Sequence, residues 1–94
     1  MVKRRVKEWH DGDSGIFANG TRFRLDNVRA PELYQFGGPT AKKSAAGMTG
    51  KTNQFVDWKR TGKDKYGREI GKMSNKHGSV NERLRKKGYK NKGR

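Results

Sequence analysis

Fourteen Leu, Ile, Val and Phe residues in a chain of 94 leave little with which to build an interior. So small a share, set against a formal net charge of +15, falls where chains tend to stay disordered. Thirteen glycines add to the entropy lost on folding. What argues for a fold is placement: the apolar residues are gathered into short patterned runs separated by turn residues. The composition allows one small, marginally stable domain, firmed up by any anionic ligand that binds only the folded chain.

The runs read mostly as strands. Val2, Val6 and Trp9 mark a strand over 2–10, and Asp11-Gly12-Asp13-Ser14-Gly15 is a turn. Ile16-Phe17-Ala18 is a short strand, and Asn19-Gly20 is the favoured two-residue hairpin signal. Thr21 to Val28 forms the third strand, with Phe23 and Leu25 on one face and Arg22, Arg24 and Asp26 on the other. Ala30-Pro31 ends it, because proline cannot donate to a ladder. Residues 32–38 read as loop. Pro39 opens a short helix over 39–49 carrying Ala41, Ala45 and Met48.

Phe55 to Lys59 is a fourth strand, Arg60 to Tyr66 a basic loop, and Glu69 to Ser74 a fifth strand. Ser79-Val80-Asn81-Glu82 has the form of a capping box, Leu84 continues the apolar stripe, and Gly88 suits the position just past a helix end. Five short strands and two helices predict a mainly β fold, a small five-stranded barrel of the oligonucleotide-binding type, with an open α+β sheet as the alternative. We place the domain at residues 1–88 and a basic tail at 89–94. Trp9 and Trp58 belong in the core by their strand positions, and His10 and His77 belong on the surface.

Charge suggests the partner. Residues 83–94 hold seven Lys and Arg and no acid, yet the rest of the chain is also basic. Such a surface attracts the phosphate backbone of DNA or RNA by counterion release; a solvated surface on a ribosome-associated protein has the same composition. With no cysteine there is neither a disulfide nor a thiolate metal site. The opening Met1-Val2-Lys3-Arg4-Arg5-Val6 has no apolar run behind it. We therefore expect no membrane partner, a cytoplasmic location (a mature secreted form has the same appearance) and a monomer.

Hydrolysis of a phosphodiester needs a carboxylate to orient or deprotonate water, and cations to stabilise the charge on phosphorus-bound oxygens. Asp13, at the end of a tight turn, is suited to a hard cation such as Ca²⁺. Arg24 and Arg68 can each fork onto phosphate oxygens, and Glu32 can act as base. Lys63, Lys65, Tyr66, Arg29 and Tyr89 are candidate nucleic-acid contacts, the tyrosines through base stacking.

The succession Asp11-Gly12-Asp13-Ser14, Phe23-Arg24-Leu25, Ala30-Pro31-Glu32, Asp64-Lys65-Tyr66-Gly67-Arg68 and Val80-Asn81-Glu82, with Leu84 and Gly88, resembles the staphylococcal nuclease family. The resemblance implies a five-stranded barrel of the oligonucleotide-binding class and Ca²⁺-dependent hydrolysis of DNA or RNA. It implies Asp13 as metal ligand, Glu32 as the residue that orients or deprotonates water, and Arg24 and Arg68 as stabilisers of the transition state. Lys65 and Tyr66 would line the substrate groove.

The chain departs from the family pattern in three places. Arg29 stands where the family carries an acidic metal ligand, which weakens any Ca²⁺ site; Asp26 is a further metal candidate if it shares the face of Arg24. Ser14 replaces a threonine. Few residues follow Gly88, so the resemblance implies a barrel shortened at its C-terminus. The alternative to a nuclease is a barrel that binds nucleic acid without cutting it, and a third reading is a purely structural basic partner.

Overall fold

The computed structural model describes residues 2–31, 34–50 and 54–89. Its elements run β1 (Val2–Trp9), β2 (Ser14–Phe17), β3 (Arg22–Leu25), α1 (Gly38–Gly50), β4 (Phe55–Lys63), β5 (Glu69–Asn75), β6 (Gly78–Ser79) and α2 (Val80–Lys86). Neighbouring strands follow the order β3-β2-β1-β4-β5-β6, and β3 also pairs with β5. That last pairing is parallel, with Arg24 opposite Ile70 and Leu25 opposite Gly71. It closes five strands into a mixed barrel, so the open-sheet alternative falls. No described helix is long and apolar enough to cross a membrane.

Alternation explains why so few apolar residues suffice. Val6, Trp9, Phe17, Phe23, Leu25, Val56, Trp58 and Met73 all point inward and are buried. Phe17 and Phe23 stack at 4.4 Å between ring centroids, Trp58 meets both edge-on, and Trp9 meets Phe23 edge-on. Such pairs add to area burial, roughly 0.5–1.5 kcal/mol each. Both indole N–H groups find acceptors, Trp9 at Thr49 Oγ1 (3.1 Å) and Trp58 at Glu69 Oε1 (2.9 Å). Gly71 is required by the same packing: a Cβ there would lie 2.5 Å from the Lys59 carbonyl and 2.7 Å from the Trp58 ring.

The boundaries differ from expectation in physically clear places. β3 stops at Leu25 because Asp26-Asn27 turns the chain, with Asn27 in the left-handed region at φ 61°. Asp26 N–H still reaches the Gly71 carbonyl (2.8 Å), and its carboxylate accepts from Thr61 Oγ1 at 3.0 Å. β4 runs on through Lys63, correcting the basic loop expected from Arg60. The ladder slips between Arg60 and Gly62, and that bulge breaks the alternation a sequence reader would follow. A two-residue β6 is additional. α2 begins as expected, with Ser79 accepting from the Glu82 N–H at 3.2 Å. It ends with Gly88 N–H on the Arg85 carbonyl and Tyr89 N–H on the Leu84 carbonyl. Of the tail expected at 89–94, residues 90–94 lie outside the described residues.

One buried side chain joins these parts. Asn81 is 4% exposed. Its Oδ1 accepts from Met73 N–H (2.8 Å), and its Nδ2 donates to the carbonyls of Asp26 (2.9 Å) and Gly71 (3.2 Å). A single amide thus ties α2 to β5 and to the turn after β3. We predict that Asn81→Ala lowers stability by about 2–4 kcal/mol, since it strands a buried N–H and withdraws a donor from two carbonyls. Urea unfolding checks this; an unchanged midpoint would contradict it.

Candidate active site

The turn between β1 and β2 is held by its own first residue. Asp11 Oδ1 accepts from Asp13 N–H (3.1 Å) and Ser14 Oγ (2.8 Å). Gly12 lets this turn sit beneath α1: a Cβ there would lie 2.7 Å from the Cβ atoms of both Ala30 and Ala41. Asp13 is thereby buried. Its Oδ2 accepts from Ala30 N–H (3.1 Å), and its carbonyl accepts from Leu25 N–H (2.8 Å). Burial first, then the hydrogen bond and repulsion from Asp11, push the Asp13 carboxyl up to about 7. The Ala30 N–H and the positive charge of Arg24 oppose that shift without reversing it.

Arg24 faces outward from β3 opposite Ser14, and its guanidinium takes no hydrogen-bond partner among the described residues. Barrel closure sets it opposite Ile70, two residues beyond Arg68. Arg68 is aimed by the hairpin between β4 and β5. Asp64 Oδ1 accepts the backbone N–H groups of Tyr66 (3.0 Å) and Arg68 (2.8 Å), and Oδ2 accepts Arg68 Nε at 2.6 Å. Desolvation works to raise the Asp64 carboxyl, but its hydrogen bonds from Arg68, that residue's charge and the Tyr66 N–H hold it below the usual carboxylate range. The terminal nitrogens of Arg68 take no partner among the described residues. Arg22 donates to the Tyr66 carbonyl, which fastens this hairpin to β3. The exposed Tyr66 ring has Lys65 Nζ at 5.3 Å and Arg68 Cζ at 5.9 Å from its centroid. Lys63 is exposed at the end of β4.

Arg29 stands one residue before Ala30, whose N–H Asp13 accepts. The Arg29 N–H donates to the Tyr89 carbonyl (3.2 Å), and the residue lines an open groove of about 570 Å³ with Pro31, Phe36 and Tyr89. The charges acting most strongly on Asp13 are those of Asp11 and Arg24. Glu32 lies outside the described residues. Sequence reading passed over Asp11 and Asp64 as individual residues, although each shows the signal of an aspartate just ahead of a glycine turn whose amides it can bind.

A hard cation would meet suitable donor chemistry here, the adjacent carboxylates Asp11 and Asp13, whose forced closeness a bound cation would relieve. The donor count falls short of a closed cage. Ca²⁺ takes six to eight oxygens, while the described residues contain no group of three His, Asp or Glu placed to hold a metal. Asp26 is engaged with Thr61, and one oxygen of Asp13 is already occupied by Ala30 N–H.

A closed five-stranded barrel of the oligonucleotide-binding type, with a basic wall around an acidic turn, is the architecture these observations define. The chain belongs to the family Staphylococcal nuclease homologue, whose sequence model matches residues 22–92. The match takes in Arg24, Arg29, Glu32 and Arg68, while Asp11 and Asp13 lie ahead of it. No curated protein matches the chain at a significant level. Family membership points to a nucleic-acid-related function of nuclease type.

A carboxyl raised in the folded state binds its proton more tightly there than in the unfolded chain. The stability it contributes is full below the unfolded value near 3.8 and is lost as pH rises through about 7. Thermal stability of the metal-free chain is therefore predicted to fall between about pH 4 and pH 7. Asp13→Asn, which keeps an acceptor for Ala30 N–H, should flatten that fall and raise the melting temperature at alkaline pH. Melting curves across this range check it; a native chain with no such fall would contradict the assignment.

Proposed function

We propose that the chain hydrolyses phosphodiester bonds of DNA or RNA at the outer face of β2, β3 and β5, acting as a monomer. The observation that carries this reading is the pair Arg24 and Arg68. Their terminal guanidinium nitrogens have no hydrogen-bond partners among the described residues, with Arg24 on β3 and Arg68 in the hairpin just before its neighbour β5, beside the acidic turn. Each guanidinium presents a planar fork that fits two oxygens of a phosphodiester.

In this reading Arg24 and Arg68 hold the phosphate and strengthen their grip as negative charge builds on the phosphorus-bound oxygens. Glu32 orients a water and takes its proton as the water oxygen bonds to phosphorus. The P–O bond to the leaving sugar oxygen breaks, and that oxygen takes a proton from solvent. Asp64 keeps the Arg68 guanidinium in place throughout. Ca²⁺, held by Asp13 with Asp11 behind it, would supply Lewis-acid polarisation of a phosphoryl oxygen. Lys63, Lys65 and Tyr66 extend the contact along the strand, with Arg29 and Tyr89 at the neighbouring groove.

Arg29 favours a second reading, a barrel that binds nucleic acid without cutting it. A guanidinium in place of the family's acidic ligand removes a donor and repels a cation.

Release of acid-soluble fragments from DNA and RNA, with Ca²⁺ and with chelator, separates the two. The nuclease reading predicts release that Glu32→Gln and Arg68→Ala each reduce by about 100-fold or more. It also predicts that Arg29→Asp raises the Ca²⁺-dependent rate. Tight, salt-sensitive binding with no release under any metal would establish the second reading and overturn the first.

A further inference from the structure

The outer wall of β1, β4 and β5 carries a second concentration of cations, separate from the acidic turn. Its orientation follows from the ladder. Trp58 pairs with Met73 and both are buried, so the flanking pairs, Asp57 with Ser74 and Lys59 with Lys72, face outward. On the other side of β4, Arg5 lies opposite Phe55 and Lys3 opposite Asp57.

Three features of this wall go beyond an ordinary solvated surface. Lys59 and Lys72 are both exposed and sit directly opposite each other, a register that destabilises a sheet when nothing negative lies between. The nearby acid, Asp57, is turned to Lys3 at 3.7 Å. Phe55 is half-exposed (51%) with the Arg5 guanidinium carbon 6.0 Å from its ring centroid, an aromatic plate beside a cation. Finally, the wall is continuous with the candidate active site. Along β5 the outward positions step from Ile70, opposite Arg24, to Lys72 and Ser74, about 7 Å per step.

We propose that this wall is a second nucleic-acid track. It holds the backbone of a single strand leading away from Arg24 and Arg68, on Lys72 and Lys59, with a base stacked on Phe55 beside Arg5. The inference rests on the nucleic-acid reading of the active site and adds where the rest of the strand lies. Cations, then one acid paired with Lys3, then an aromatic ring suit a strand with exposed bases better than a membrane surface or an acidic protein. The repulsion between Lys59 and Lys72 is relieved when a phosphate sits between them, so binding and stability make opposite demands on that pair.

The test is anisotropy titration of a labelled single strand of about 16 nucleotides at several salt concentrations. The native chain is compared with Lys59→Glu/Lys72→Glu, with Phe55→Ala, and with Lys42→Glu/Lys43→Glu on α1, which changes net charge equally. Loss of two phosphate contacts should weaken binding about tenfold or more and lower the salt slope by about 1.4. Phe55→Ala should cost about fivefold or more. The α1 variant should lose much less. Lys72→Glu alone, which faces Lys59 with an opposite charge, should raise the melting temperature at low salt while weakening binding.

Equal losses for the wall and α1 variants would overturn the track and leave the active-site reading standing. A native chain that binds no strand at low salt would overturn both. Binding of the native chain to vesicles containing phosphatidylserine, with no binding to the strand, would replace the proposed partner with a lipid surface.

Discussion

Asn81 is the point on which this small structure turns. A barrel of five short strands closes only if β3 reaches β5, and those strands are parallel, far apart in sequence and four and seven residues long. Asn81 spans the junction, taking the Met73 N–H and donating to the carbonyls of Gly71 and Asp26. A buried amide with partners at both ends strengthens such a joint; an apolar residue of the same size would leave backbone groups unpaired in the interior. The helix that carries Asn81 also supplies Val80 and Leu84 to the core. Closure and core completion are therefore one event.

Closure also makes the site. Before β3 meets β5, Arg24 and the Arg68 hairpin belong to different ends of the sheet order. Once paired, they share an outer face. The acidic turn beneath is fixed by the same packing, with Gly12 under Ala30 and Ala41, and Leu25 N–H on the Asp13 carbonyl. Two buried carboxylates are forced together there, at a cost to the folded state that grows with pH. A fold with so thin a core carries that cost beside Arg24, a combination that does not maximise stability.

Much of this was legible in the sequence. The inward positions of Phe17, Phe23 and Trp58 follow from period-two patterning, whereas Trp9, three residues from Val6, points inward across a slip of the β1 ladder; the helix cap at Ser79 follows from its neighbours. Gly88 carries the positive φ expected of a residue just past a helix end. The extension of β4 to Lys63 was hidden because Arg60-Thr61-Gly62 offers no alternation across a bulge. Asn81 read as part of a helix start, since nothing local marks an amide whose partners lie up to 55 residues away. In the site, Arg24 and Arg68 could be named from motif strings, but the restraint of Arg68 by Asp64 and the engagement of Asp26 by Thr61 depend on hydrogen-bond geometry. Arg29 could be recognised as a departure; that it lines the groove beside Tyr89 could not.

The central claim is that barrel closure makes Arg24 and Arg68 one phosphate-holding unit. A double-mutant cycle on the affinity for a short oligonucleotide, using Arg24→Ala, Arg68→Ala and the pair, tests it most directly. If both grip the same phosphate, the double variant loses less than the sum of the single losses, with a coupling of about 1 kcal/mol or more. Losses that add to within about 0.3 kcal/mol would mean that the two arginines act on separate parts of the ligand, and would contradict the account.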